Sequence, residues 1–582
     1  MPSPTPVGQP GLPPLEVIVY NRLAYGPRPG DLDAFRALAG ATPADKLNTW
    51  LDQQLNPRSI NDADCTGRVG AHALPTQAYI DNVGTLPGGT TVTPPPAGSN
   101  KRFLPVINNG PAAGLTADSM LASHWINYRR RPGRTGQYAE NRPVMDVRIS
   151  SLLRAVYSKR QLYEVLVEFW HNHFSIFAWE GYAPVTWQHF DTWVIRKNAL
   201  GNFRVFLEDV AKSPAMLYYL DNYLNTRSGP NENWARELFE LHGFGAENYG
   251  GVLPQDQVPG FPAAPTKYVD EDVYESTRCF TGWSINDVWG SDTNPNSWGN
   301  GTFRYFDAEH DRFQKRVLGR NIAPDGSPLV DGLTVLDIIA NHPGTALYIA
   351  RRMCTRLIGD AVDEATVQSA ADVFYANRTA PDQIVKTVRA IITSAAFQNT
   401  YAEKIKRPWE SLIGGLRATN AQLNLKPVLV NNPNNGGVYW DDEQDIFYNY
   451  EAMGMPIFGR RSPDGWPDKR DNWNGTTSML FRWKTMYWMV STGTDSRRTD
   501  IKTDFVGPTN SGVGSKTAAN IVDFWINRIL GRAMTADARQ GLIEYLANGN
   551  LTQPLSLTDE AVQDRLALTV SLILSSPEFN WR

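Results

Sequence analysis

LYEVLVEFWHNHF, residues 162–174, decides the fold class. The stretch carries helical patterning. At about 100° per residue, Glu164, Glu168 and His171 share one face of that helix. Glu-x-x-His at i, i+3 is the pairing used by helical carboxylate-bridged metal sites. His173 falls about 200° from His171, so only one of the two faces such a site unless the helix ends at Asn172. The plainer reading makes one histidine a helix-end residue and the other a hydrogen-bonded core residue.

The same patterning recurs outward from this stretch. Upstream it appears in DLDAFRALAG, TPADKLNTWLDQQL, SMLASHWINYRRR and RISSLLRAVYSKRQ. Downstream it appears in LTVLDIIANHPGTALYIARRMCTRLIG, ATVQSAADVFYANR, PDQIVKTVRAIITSAAF, TAANIVDFWINRILG, ADARQGLIEYLA and DRLALTVSLILSSPEF. Asp31 and Thr42 are expected N-caps, and Pro43 suits a first turn. No βαβ alternation and no short repeat interrupts the pattern. The expected class is mainly α: a large multi-helix domain with long Gly/Pro/Asn-rich loops and a small hairpin pairing FRYF near KRVLG. Residues 1–14 are Pro-rich and read as extended or mobile. Residues 15–582 read as one large helical domain, divisible into a motif-bearing lobe at 15–330 and a helical lobe at 331–582. The loops GTLPGGTTVTPPPAGSN (84–100) and LPQDQVPGFPAAPTKY (253–268) are long enough to cover or form a site.

Composition narrows the function. Formal net charge is -4, so there is no basic field for nucleic acid. Cys65, Cys279 and Cys354 are far apart and outside any CxxC, which argues for buried thiols over a zinc site or disulfide scaffold. No secretory signal is visible in MPSPTPVGQPGLPPLEVIVYNRL, and no apolar run approaches the ~20 residues of a transmembrane helix. A phosphate-binding GxxxxGK[ST], an HExxH and a strand-borne GxSxG are all missing, and no organic cofactor motif is present.

Three further segments carry candidate chemistry. In SGPNENWARELFELHGFG (228–245), Pro230 and Gly243 frame a short helix with Asn233, Glu237 and Glu240 on one face and Arg236 and His242 elsewhere. Buried carboxylates there need a metal, a cation or hydrogen-bond donors, and Arg196, Arg204 and Arg278 are the candidate cations. In YVDEDVYESTRCFTGW (268–283), Asp270 is an expected cap and Glu275 pairs with Arg278 one turn on. In FRYFDAEHDRFQKRVLG (303–319), His310-Asp311 on a loop can ligate a metal or work as an oriented base.

LEVIVYNRLAYGPRPGDL, WLDQQLNP, EFWHNHF, GPNENWARELFELHGFG, EDVYESTRCFTGW, HDRFQKRVLG, KIKRPWESLIGGLRA, SPDGWPD and the final SPEF occur in this order over nearly the whole chain. In this the chain resembles the bacterial family called "domain of unknown function 1800". The family pattern falls on His171, His173, Asn231, Asn233, Arg236, Glu237, Glu240, Thr281, Trp283, His310, Asp311 and Lys315. The resemblance implies an exported, extracytoplasmic protein of unassigned activity with a sulfatase-like partner protein. Two departures are the missing export signal and Tyr268-Val269 in place of the family's Tyr-Thr helix start.

Together these readings lead to an expected metal-dependent enzyme. Glu168, His171, Glu237 and Glu240 would hold one or two divalent ions (Zn, Mn or Fe), with Glu240, His310 and Asp311 catalytic and His173, Asn233, Arg236 and Lys315 in support. Hydrolysis is favoured over oxidation, on a glycan or other envelope substrate. A metal-free pairing of Glu240 with His310 is a weaker option. The alternative is a non-enzymatic envelope binding or assembly protein whose motif residues form a buried polar network.

Overall fold

The computed structural model describes residues 11–72, 76–78, 102–104, 118, 121, 124–125, 141–287, 299–425, 429–431, 438–440, 445–491 and 501–582. The first ten residues, the 84–100 loop and most of SMLASHWINYRRR lie outside the described residues. Helices dominate, and strands occur only as two-stranded antiparallel ribbons among the described residues. No described helix is long and apolar enough to cross a membrane. One hydrophobic core draws on residues from Ile18 to Phe579, so both halves of the chain share it.

Helix α1 is Leu15–Leu23, α2 Pro43–Gln54, α3 Arg142–Tyr157 and α4 Gln161–His173. Helix α5, Ala183–His189, runs on into a π-helical turn, Phe190–Arg196. Helix α6, Asn233–Glu237, does the same through Leu238–Gly243. Then follow α7 (Asp270–Cys279), α8 (Val330–Ala340), α9 (Pro343–Leu357), α10 (Pro408–Ala418), α11 (Asp445–Ala452), α12 (Thr476–Ser491) and α13 (Glu560–Ser575).

Helix α4 shows why the pattern folds this way. Leu162, Val165, Leu166, Phe169 and Trp170 are all buried, and each contributes roughly 1.5–3 kcal/mol by leaving water. Trp170 packs against Phe203 and Phe206, and its indole N–H donates to the Ala199 carbonyl at 3.1 Å. The Gln54 side chain of α2 accepts the Leu162 N–H at the start of α4.

Thr42 caps α2 in a full capping box with Asp45, and Pro43 holds the first position. Asp31 is not a cap: Gly30, at φ 91°, takes that place, and the Asp31 carboxylate instead accepts from Arg28 N–H and Arg417. Asp270 is likewise the first residue of α7, after Val269; the Asp272 carboxylate accepts the Val269 N–H.

The expected FRYF–KRVLG hairpin is two separate ribbons. Strand β1 (Trp283–Ile285) pairs with β2 (Phe303–Tyr305), and β3 (Lys315–Val317) pairs with β4 (Arg320–Ile322). Leu318 and Gly319 both take positive φ, 45° and 75°, which is the two-residue turn that matches strand twist and closes β3 onto β4 locally. All three cysteines are free and buried.

Candidate functional site

Helix α4, the π turn after α5, Trp409 of α10 and the loop after α11 enclose a cavity of about 60 Å³, room for roughly four waters. Glu164, Glu168 and His171 line it from one face of α4. Trp187, Trp409, Trp466, Phe458 and Tyr450 are aromatic members of its wall.

His171 is fixed from one side. Its Nε2 lies 3.0 Å from Asp191 Oδ1, and its ring stacks on Trp187 and packs on Phe458. The Arg196 Nε donates to both Asp191 oxygens, at 2.9 and 3.1 Å, and its Nη1 donates to both Glu164 oxygens. Asp191 and Arg196 stand five residues apart, and the i→i+5 bonding of the π turn brings such positions onto one face. Burial pushes Asp191 up, but Arg196 and His171 hold it well below the usual carboxylate range. An ionised Asp191 only accepts hydrogen bonds, so the His171 Nε2 carries a proton, and in the neutral ring Nδ1 is the bare nitrogen.

Glu168 is held differently. Its Oε2 accepts from Arg356 at 3.2 Å and Arg407 at 2.5 Å. Those arginines belong to a larger set: Arg356 also reaches Glu410 at 2.7 Å, as does Arg582 at 2.9 Å, and Arg407 and Lys404 face Asp468 at 3.6 and 3.5 Å. EFWHNHF, KIKRPWE, SPDGWPD and the final SPEFNWR therefore meet in one buried ion network. Asn172 ties two of them directly. Its amide donates to the Trp466 carbonyl (2.8 Å) and accepts the Trp466 N–H (2.7 Å). Gly465, at φ 75°, lies so close that a Cβ there would fall 2.2 Å from the Asn172 carbonyl oxygen.

Four residues of the cavity wall carry a buried polar atom with no partner among the described residues: His171 Nδ1, Trp187 Nε1, Tyr450 Oη and Trp466 Nε1. Buried polar atoms are nearly always satisfied, so these four leave hydrogen-bonding capacity unfilled in the residues beside the cavity. Burial, with Glu168 nearby, pushes the Tyr450 hydroxyl well above its ordinary pKa, so it stays a donor. Phe458, at φ 59°, is a bulky residue in the left-handed region, the kind of strain that gathers at functional sites.

The other expected site residues lie elsewhere. His173 faces away from the cavity: its Nε2 sits 3.1 Å from the His242 carbonyl, and burial, then Arg352 and His242, push its pKa well below normal. His242 is pushed down to about 3, chiefly by burial. Asn233 is exposed, and its N–H donates to Asn231 Oδ1. Arg236 reaches Glu232 and Asp270. Glu237 and Glu240 have no ion pair among the described residues, and none of Arg196, Arg204 and Arg278 reaches them. Burial, then Glu240, pushes Glu237 up to about 7.

His310, Asp311 and Lys315 form a second polar cluster. His310 Nε2 lies 3.2 Å from Asp331 Oδ2, and its Nδ1 lies 2.9 Å from the Thr281 carbonyl and 3.2 Å from the Thr281 hydroxyl. Lys315 donates to Asp331 at 2.8 Å. Asp311 is gripped by Arg278, which also holds Glu275, the pair expected from spacing. The Thr–His–Asp order resembles a nucleophile triad, but Thr281 is fully buried and its hydroxyl already donates to the Arg278 carbonyl at 2.6 Å.

Glu168, His171, Glu237 and Glu240 are not brought together as one ligand group. No set of three or more His, Cys, Asp or Glu among the described residues is arranged to hold an ion. At the cavity, the donor chemistry does not fit a divalent cation: guanidinium groups already occupy Glu164, Glu168 and Asp191. Sequence reading missed Asp191, Tyr450, Trp187 and Trp466, and it expected Arg196 beside Glu237 and Glu240 where the structure pairs it with Glu164 and Asp191. Trp466 lay inside the quoted SPDGWPD, which was a usable signal; the π turn that presents Asp191 had none.

Fold and site define a mainly α protein with an aromatic-lined, mostly apolar cavity beside a buried ion network. The chain belongs to the family described as "Protein of unknown function (DUF1800)", whose profile matches residues 18–581. No curated protein and no solved structure matches it.

Proposed function

We propose that the protein is an enzyme that works by acid–base chemistry in the α4 cavity, with His171 taking and returning a proton at Nδ1. One observation carries this: Nε2 is committed to Asp191, while Nδ1 has no partner in a cavity wall. A carboxylate that fixes the tautomer and orients the ring is what a general base needs. Hydrolysis asks of such a cavity only water and proton transfer, and remains the favoured reaction class. The test is turnover of a panel of chromogenic esters and glycosides by wild type, His171→Gln and Asp191→Asn. Activity lost in both variants, with folding kept, supports the reading; activity unchanged in His171→Gln ends it.

A second reading is a non-enzymatic protein in which the ion network only fixes the fold. It is favoured by Glu168, Glu410 and Asp468 each facing two or more cations. The metal-dependent form of the enzyme would place its ion at Glu237 and Glu240, which form no ion pair among the described residues although Arg236 acts on Glu237 from nearby. Elemental analysis of wild type and Glu237→Gln tests that form: a near-stoichiometric ion lost in the variant supports it, and an ion retained, or none in wild type, removes it.

A further inference from the structure

We propose that the protein has a second binding site, for a compact zwitterion: an ammonium and a carboxylate on one small molecule, as in a free amino acid or a dipeptide. The site is a cleft of about 480 Å³, lined from α1, α2 and the ends of α3 and α10. That volume is within the ~300–1,000 Å³ usual for small-molecule sites. The cleft shares no lining residue with the α4 cavity. Tyr20, Phe35 and Trp50 are buried aromatic members of its lining, and Tyr20 meets Trp50 edge to face.

Two charges of opposite sign line the cleft without an ion pair among the described residues. The first is Arg28, which is partly exposed. Its guanidinium lies over the Tyr157 ring, 5.3 Å from the centre, and its Nη2 donates to Asn420 Oδ1. Only the Arg28 backbone N–H reaches Asp31, whose carboxylate also accepts from the Arg417 side chain at 2.9 Å. Burial pulls Arg417 down to about 10; Asp31 opposes this and Arg28 adds to it. Two guanidinium groups therefore stand near one carboxylate, and most of the Arg28 fork is left to bind another.

The second charge is Asp62, 9% exposed. Its oxygens accept from the Ser158 hydroxyl at 2.6 Å and the Lys159 N–H at 2.8 Å. Both donors are neutral, and the exposed Lys159 ammonium forms no ion pair with Asp62. A nearly buried carboxylate held only by neutral donors still lacks a counter-ion. Arg28 sits on Tyr157 and Asp62 on Ser158, the next residue, so one small molecule can span both. An anion alone would satisfy Arg28 but meet Asp62 and Asp64. A cation alone would satisfy Asp62 but meet Arg28 and Lys159. An apolar side chain on the guest has the aromatic lining to pack against.

The experiment is calorimetric titration of the full chain with L-leucine, glycyl-L-leucine, N-acetyl-L-leucine and L-leucinamide. The first two are zwitterions; the third lacks the ammonium and the fourth the carboxylate. The expected result is binding of leucine or the dipeptide, with both capped probes about tenfold weaker or more. Tighter binding of leucine points to a free amino acid, and of the dipeptide to a peptide. Arg28→Gln should weaken the zwitterion about tenfold and leave leucinamide unchanged. Asp62→Asn should weaken the zwitterion and leave N-acetyl-leucine unchanged. Arg28→Gln carries the test alone where Asp62→Asn does not fold. The proposal is overturned if a capped probe binds as tightly as the zwitterions, if none of the four binds, or if Arg28→Gln binds the zwitterion like wild type.

Discussion

His171 and His310 are each held at Nε2 by an aspartate, at 3.0 and 3.2 Å, and each aspartate is in turn held by a cation, Arg196 or Lys315. They differ in the other nitrogen. His310 Nδ1 is committed to Thr281, while His171 Nδ1 has no partner and belongs to a cavity wall. One His–Asp pair is closed on both sides and locks α7, α8 and the loop before β3 together. The other is closed on one side only. A residue pair does not declare a site; the unfilled half of its hydrogen-bonding capacity does.

The largest expected effect separates the two regions by stability. Lys315→Met leaves Asp331 buried beside His310 alone and should cost about 3–5 kcal/mol in chemical denaturation, without changing ligand binding at the α4 cavity. His171→Gln should do the reverse. Turnover by the enzyme should fall about 10²–10⁴-fold, while stability drops by no more than the roughly 1.5–3 kcal/mol of the Nε2–Asp191 bond. A His171→Gln protein that melts far lower but turns over normally would erase the contrast.

Gly465→Ala sharpens the link between α4 and the Trp466 loop. Its Cβ would press on the Asn172 carbonyl at a positive φ, and a cost of about 1–3 kcal/mol is expected in thermal unfolding. His310→Gln should lose a comparable 1.5–3 kcal/mol by breaking a charged hydrogen bond, with the cavity unaffected.

The smallest effects are in pH. His173 and His242 have folded pKa values far below the unfolded ~6.5. Their contribution is present above pH ~6.5 and is lost as pH falls below it, because the unfolded chain then binds more protons. Melting temperature should therefore drop on acidification, and less so in His242→Phe. Glu237, raised to about 7, has the opposite sign: its ionisation penalty develops as pH rises from ~4.5 through 7. Glu237→Gln should raise the melting temperature at pH 8 and leave it unchanged near pH 4, by less than about 1 kcal/mol after solvent screening.

Much of the helical framework was legible in sequence because it rests on local signals. The Thr42-Pro43 start, the Gly243 end and the shared face of Glu164, Glu168 and His171 all follow from spacing and caps. The strand partners were not legible, since FRYF chose Trp283–Ile285 across a segment whose length hid the pairing. At the site, helix geometry showed that His171 and His173 diverge. It could not show that Glu168 meets Arg356 and Arg407, 188 and 239 residues away, in place of a metal. Asp191 was invisible because a π turn breaks the 3.6-residue arithmetic that placed the helical candidates.

The most direct test is the ¹⁵N spectrum of histidine-labelled protein, with the His171 signals assigned by His171→Gln, before and after adding a panel substrate that the protein turns over. The account predicts that the neutral ring carries its proton on Nε2, facing Asp191, and that the Nδ1 signal shifts when the substrate enters. A His171 Nδ1 that is already protonated, or that ignores every ligand that binds, would contradict the claim that this cavity is the working site.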